Sequence, residues 1–97
     1  MNDVLKVTII RVSRNSFVDS KGNEVKYCQF SVIAPAESND NLVGYDIKKF
    51  TTKYDNYAVL SNLLKANKSV NLTCEFRELP DGYYKQVPVK IDETSLK

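Results

Sequence analysis

A chain of 97 residues with 42% hydrophobic and 27% charged side chains is sized for one domain, residues 1–97, around a single modest core. Its net charge of +2 selects no partner by itself. The absence of histidine, with only two widely separated cysteines, excludes a structural zinc site, which needs about four N/S ligands. No apolar run approaches the ~20 residues of a membrane helix, and the opening MNDVLKV lacks a secretory apolar region. The expectation is a cytoplasmic protein without a membrane association, with Cys28 and Cys74 reduced.

Val4 to Val12, VLKVTIIRV, is β-branched and predicts a strand. Leu5, Val7 and Ile9 share one face while Val4, Ile10 and Val12 lean toward the other, as in a central strand or one that bends between two sheets. In SFVDSKGNEVKY, Ser20-Lys21-Gly22-Asn23 marks a hairpin, because Gly22 and Asn23 tolerate positive φ. Val25 to Ala34 alternates, placing Cys28, Phe30, Val32 and Ala34 inward and Tyr27, Gln29 and Ser31 outward. Pro35 stops that strand, and residues 35–41 form a polar, acidic loop.

Leu42 to Tyr54, LVGYDIKKFTTKY, predicts a third strand that interleaves rings with ammonium groups. A base offers a π-face and a phosphate a negative charge, so such a surface suits single-stranded nucleic acid. Tyr45 and Phe50 are five positions apart, which puts them on opposite faces of a regular strand. A bulge near Lys48-Lys49 reconciles them; otherwise Phe50 belongs to the core.

From Asp55 to Lys65 the period changes. Tyr57, Leu60 and Leu64, widened by Val59 and Leu63, make the stripe of a short amphipathic helix, with Asp55 or Asn56 as its cap and Asn67 at its end. Ser69 to Arg77 is a half-buried antiparallel strand with Val70, Leu72, Cys74 and Phe76 inward. Pro80-Asp81-Gly82 is a turn. Tyr83 to Asp92 is the last strand, with Val87, Val89 and Ile91 inward and Pro88 at an edge or bulge. The ETSLK tail is expected to be short and flexible.

Five strands with one short helix between the third and fourth predict an all-β fold, a five-stranded OB-fold (Greek-key) barrel with its core at about residues 4–92. Another small α+β sheet with a helix on one face is the alternative. In residue pattern the run from Glu24 through Asp92 resembles the bacterial and phage single-stranded-DNA-binding proteins. NEVKYCQFSVIA is similar to their second strand, GYDIKKF to the third, NYAVLSNLLKANKSVNLTCEFREL to the helix and fourth strand, and PDGYYKQVPVKID to the last hairpin. The small size and aromatic hairpins also resemble the gene V type of filamentous phage, an OB-fold dimer. Two departures stand out: there is no Trp, and the sequence closes at Lys97 without the long acidic-tipped tail by which bacterial members recruit partners. The resemblance therefore implies a phage, plasmid or mobile-element member acting in DNA replication or recombination.

On this reading the groove is the outer face of the second and third strands, flanked by the two hairpins. Tyr27, Tyr45, Phe50 and Tyr54 are the strand-borne stacking candidates, with Phe17 at the first hairpin and Tyr83 and Tyr84 at the last. Tyr83-Tyr84 can equally serve a dimer contact. Arg11, Arg14, Lys21, Lys26, Lys48, Lys49, Lys53, Arg77 and Lys85 are the phosphate-contact candidates, while Glu37, Asp40 and Asp46 collect around the intervening loop. The expected partners are single-stranded DNA, a second copy of the chain, and replication or recombination proteins. No catalytic residue, metal or cofactor is expected: histidine is absent, no carboxylates pair, and the three glycines form no phosphate loop. A primosome-like OB accessory subunit that binds protein, or an RNA-binding OB module, are the alternative readings. Lysines beside the rings favour nucleic acid over protein.

Overall fold

Strand β1 (Asn2–Val18) has two partners, and that double duty shapes the sheet. In the computed structural model, which describes residues 2–36 and 39–96, its first half pairs with β4 (Ser69–Glu78) and its second half with β2 (Glu24–Pro35). The register against β2 slips between Ile9 and Arg11, so Ile10 is a bulge residue. The bulge resets the alternation. Val7 and Ile9 are buried, Ile10 is exposed, and Val12, opposite Phe30, returns to the core side. Apolar character on both faces of this strand therefore reflects one inserted residue. β1 also runs past its expected end at Val12, because ladder bonds to β2 carry the polar Ser13–Ser16 stretch without apolar side chains.

The remaining strands are β3 (Tyr45–Lys53), β5 (Tyr84–Ile91) and β6 (Thr94–Ser95), giving one antiparallel sheet in the order β3-β2-β1-β4-β5-β6. The fold is all-β with a single short α-helix, α1 (Tyr57–Ala66), between β3 and β4. β3 and β5 approach each other, but no ladder joins them, so the sheet is not hydrogen-bonded into a closed barrel.

The core collects Val7, Ile9, Cys28, Phe30, Val32, Phe50, Val70, Leu72, Cys74 and Ile91 from the strands and Leu60 from α1. Tyr57, Leu63 and Leu64 pack on its margin, as the helical stripe requires. Asn67 ends α1 in the left-handed conformation, its N–H bonding to the carbonyls of Leu63 and Leu64. The expected side-chain N-cap is not formed. A 3₁₀ turn, Tyr54–Asn56, precedes the helix, and Asn56 is buried with its amide donating to Thr52 Oγ1 at 2.7 Å.

Both hairpins use the same device. Gly22 and Gly82 take positive φ, 83° and 86°, and each donates to the carbonyl three residues earlier, Asp19 and Leu79. Asp19 Oδ1 also accepts from the N–H groups of Lys21 and Asn23.

Three expectations are corrected. The bulge expected at Pro88 is present, but Pro88 is buried and not on the opposite face: the β4–β5 register slips so that Pro88 faces Cys74, while Val89 bulges and stays half-buried with Val87. The tail is not simply frayed. Asp92 turns the chain at φ 48°, Thr94 and Ser95 pair with Ile91 and Lys90, and Leu96 packs against the core. The third strand starts at Tyr45, because Leu42 closes a tight turn with Asn39. Of the acidic loop, Glu37 lies outside the described residues.

Burial pushes the Cys74 thiol from its ordinary 9.0 up to about 11; nearby Lys48 opposes the shift and Asp3 adds to it. A thiol held neutral in the fold contributes stability that is present below its unfolded value and lost as pH rises through the folded one. Urea unfolding should therefore show a loss of stability between about pH 9 and 11 that is smaller in Cys74→Ala. Phe50, only 6% exposed, packs on Phe30 with ring centroids 5.4 Å apart. Phe50→Ala should cost about 3–5 kcal/mol in the same measurement, against less than about 0.5 for Tyr45→Ala.

Candidate nucleic-acid interface

The unbroken β2–β3 register decides which side chains share a surface. Phe30 faces Phe50, Cys28 faces Thr52 and Val32 faces Lys48 on the core side. Tyr27–Lys53, Gln29–Thr51, Ser31–Lys49, Ile33–Ile47 and Pro35–Tyr45 are then the opposed pairs of the outer side. β1 extends these rows with Arg11 beside Ser31, Ser13 beside Gln29 and Asn15 beside Tyr27. The result is a polar face three strands wide. Arg11, Ser13, Asn15, Gln29, Ser31 and Lys49 line a shallow hollow in it. At one end Phe17 meets Tyr27, with ring centroids 5.9 Å apart. At the other, Tyr45 and Ile47 stand 68% and 71% exposed.

The anticipated bulge at Lys48-Lys49 is absent, which corrects one candidate: Phe50 is a core ring and offers no face to a base. Tyr45 keeps its outward position. Lys48 falls on the core side of β3, near its edge, and Lys49 on the outer side.

A second feature lies where β3 approaches β5. Lys26, Thr51, Lys53, Arg77, Val87 and Pro88 are among the residues lining one hollow. Lys48, Lys49, Phe50, Thr51, Lys85 and Gln86 line its neighbour. Six of the predicted cations thus meet along this seam, and among the described residues neither hollow has a carboxylate in its lining. Arg77 is held by Glu75 at 3.1 Å and Lys26 by Glu24 at 3.8 Å. Lys48, Lys49, Lys53 and Lys85 form no ion pair among the described residues. Exposed ion pairs are worth about 0–1 kcal/mol, so a phosphate can replace either carboxylate at little cost.

Arg14, Lys26 and Tyr54 lie apart from the outer face. Tyr54 belongs to the 3₁₀ turn rather than to β3, and is half-buried with Arg14 and Lys26 at 5.8 and 5.6 Å from its ring centroid. Arg14 stacks more closely on Tyr57, at 4.5 Å. Both rings are already faced by cations, and Tyr54, set on the 3₁₀ turn and half-buried, lies off the outer face that carries Tyr27 and Tyr45. Lys21 sits at the first hairpin tip, exposed. Tyr83 and Tyr84, at the second, are 72% and 68% exposed beside Lys85.

Sequence reasoning did not single out Ser13, Asn15, Thr51 or Ile47. Strict alternation from Phe50 and Phe30 points to Thr51 and Ile47. Ser13 and Asn15 depend on the bulge at Ile10, which alternation cannot locate. Among the described residues no group of His, Cys, Asp and Glu can hold a metal, and no helix is long and apolar enough to cross a membrane. Comparison with protein-family models, curated proteins and solved structures finds no match.

If Arg14 serves packing, Arg14→Met should lower stability by about 0.5–1 kcal/mol by thermal or urea unfolding. Arg11→Met, on the open face, should stay within about 0.5 kcal/mol.

Proposed function

We propose that this chain binds single-stranded DNA with little sequence preference, as a phage, plasmid or mobile-element protein of replication or recombination. The observation that carries this reading is the seam: Lys48, Lys49, Lys53 and Lys85 converge there and form no ion pair among the described residues, with the exposed Tyr84 next to Lys85 on β5. Strand order β3-β2-β1-β4-β5, a first strand shared by two partners and a helix between β3 and β4 support reading the fold as an OB-type barrel left open between β3 and β5.

In this reading the seam lysines and Arg77 hold phosphates while the outer face carries Lys49 and Arg11 alongside. Bases stack on Tyr45 and Tyr27, and the Tyr83-Tyr84 tip closes over the strand. Each stacked ring contributes about 1–3 kcal/mol and accepts any base, because every base has a π-face. Each neutralised phosphate adds about 0.7 to the salt slope. No proton transfer or bond cleavage is involved.

Titrating with oligo(dT), duplex DNA and RNA at two salt concentrations tests it, following tyrosine fluorescence, which no Trp obscures. Quenching by oligo(dT) in preference to duplex, weakened by salt, is the expected result. Lys48→Glu with Lys49→Glu should weaken binding far more than Lys65→Glu with Lys68→Glu, at the far end of α1. Equal losses would move the site off the seam, and no binding at low salt would favour a protein-interaction module.

A further inference from the structure

β3 is an edge strand: β2 pairs with one side and, among the described residues, no strand is hydrogen-bonded to the other, which β5 approaches from Lys48 onward without pairing. An open edge of this kind is a template for another chain unless something blocks it. The first half of β3 is poorly covered. Every residue from Tyr45 to Lys49 is exposed, and Ile47, an aliphatic side chain at the middle of that run, is 71% exposed. The segment contains no Pro and no bulge. Lysines usually deter edge pairing, so Lys48 and Lys49 require an answering charge, and one residue of the same strand supplies it.

We propose that β3 pairs antiparallel with β3 of a second copy, about a two-fold axis at Ile47. A two-fold perpendicular to the sheet keeps each face on its own side and opposes residues whose numbers sum to twice that of the axial residue. Asp46 then faces Lys48 of the second copy, twice, on the core-side parity of the strand. Ile47 meets Ile47, and Tyr45 meets Lys49, on the outer parity. The two carboxylate–ammonium pairs and the two ring–ammonium pairs are of the favourable cross-strand kind. Moving the axis by one residue opposes Asp46 to Asp46 or Lys48 to Lys48, both repulsive. The charge pattern therefore selects one register out of the adjacent ones, and an isologous contact closes on itself instead of growing into a fibre. In this dimer the polar faces of both β1–β2–β3 units become one continuous sheet surface, bringing Lys49 and Arg11 of each copy onto the same side.

The proposal concerns self-association and is read without DNA, so its failure is separate from that of the binding function. Sedimentation equilibrium should show a monomer–dimer equilibrium in the wild-type chain. Asp46→Lys, which opposes lysine to lysine twice, should weaken the dimer about tenfold, with circular dichroism reporting that the fold is retained. Asp46→Lys combined with Lys48→Asp inverts both pairs and should restore it. Ile47→Cys places two thiols at directly opposed positions, within the separation a disulfide spans, and should cross-link on mild oxidation. Val43→Cys, more exposed still at 86% but with no copy of itself opposite, should not. A wild-type chain that stays monomeric at every concentration, a charge inversion that fails to restore pairing, or equal cross-linking of the two cysteine variants would each overturn the proposal.

Discussion

Phe50 packing on Phe30 sets the parity of β3, and with it the surface chemistry of the molecule. Strand side chains alternate with period two, so one ring committed to the core assigns every neighbour. Lys49, Thr51 and Lys53 go out, and so do Ile47 and Tyr45. A slip of one residue would bury Lys49 beneath Val32 or its neighbours and expose the ring, at a cost that combines a lost aromatic burial with a desolvated ammonium. The basic, ring-bearing face is therefore a consequence of core packing and needs no separate device to orient it.

The same packing leaves β3 close to β5 without joining them. Had the strands paired, their side chains would alternate between the two faces of a continuous ladder. Left apart, they form a trough in which lysines from both strands project toward one line. Lysine ammoniums that gather without carboxylates repel one another, a cost that water and salt reduce at the surface. A polyanion laid along the trough reverses the sign of that interaction, which is why the feature reads as a binding site. The net charge of +2 conceals it, since acidic residues such as Asp40, Asp81 and Glu93 sit on turns away from the seam linings.

Much of this was legible in the chain itself, for physical reasons that differ between elements. In β2 and β4, alternation located the buried sets Cys28, Phe30, Val32 and Val70, Leu72, Cys74, because one side of each strand is core and the other is not; Phe76, expected inward with them, lies past the core and is 40% exposed. Gly22 and Gly82 marked both hairpins, since only their φ values allow the turns. The helix stripe around Leu60 was equally plain. What escaped were the features that interrupt a period. A bulge adds one residue to one strand: Pro88 signalled an edge or bulge in β5 but not that it would turn inward, and no local composition marks Ile10, so the outward placement of Ser13 and Asn15 was hidden. Tyr54 was misplaced for a related reason: the strand ends one residue before it, where Asn56 bonds back to Thr52 and forces a 3₁₀ turn. The docked Leu96 depended on Asp92 taking a left-handed conformation, which aspartate does only in certain contexts.

These corrections change how binding energy would be divided. With Phe50 in the core and Tyr54 faced by Arg14 and Lys26, the most exposed tyrosines among the described residues are Tyr45, Tyr83 and Tyr84, with Phe76 partly exposed and Tyr27 against Phe17. Tyr45 and Tyr84 lie on strands held by their ladders, Tyr84 opposite Glu78, whereas Tyr83 stands in the hairpin turn. Ordering a tip residue costs about 1–2 kcal/mol of backbone entropy, which is comparable to what one stacked base returns. The lysines carry no such debt on β3, because the ladder to β2 already fixes their backbone. If the chain binds single-stranded DNA as proposed, affinity should be led by the seam cations, with stacking refining it, so that raising salt weakens binding more than removing any one tip ring.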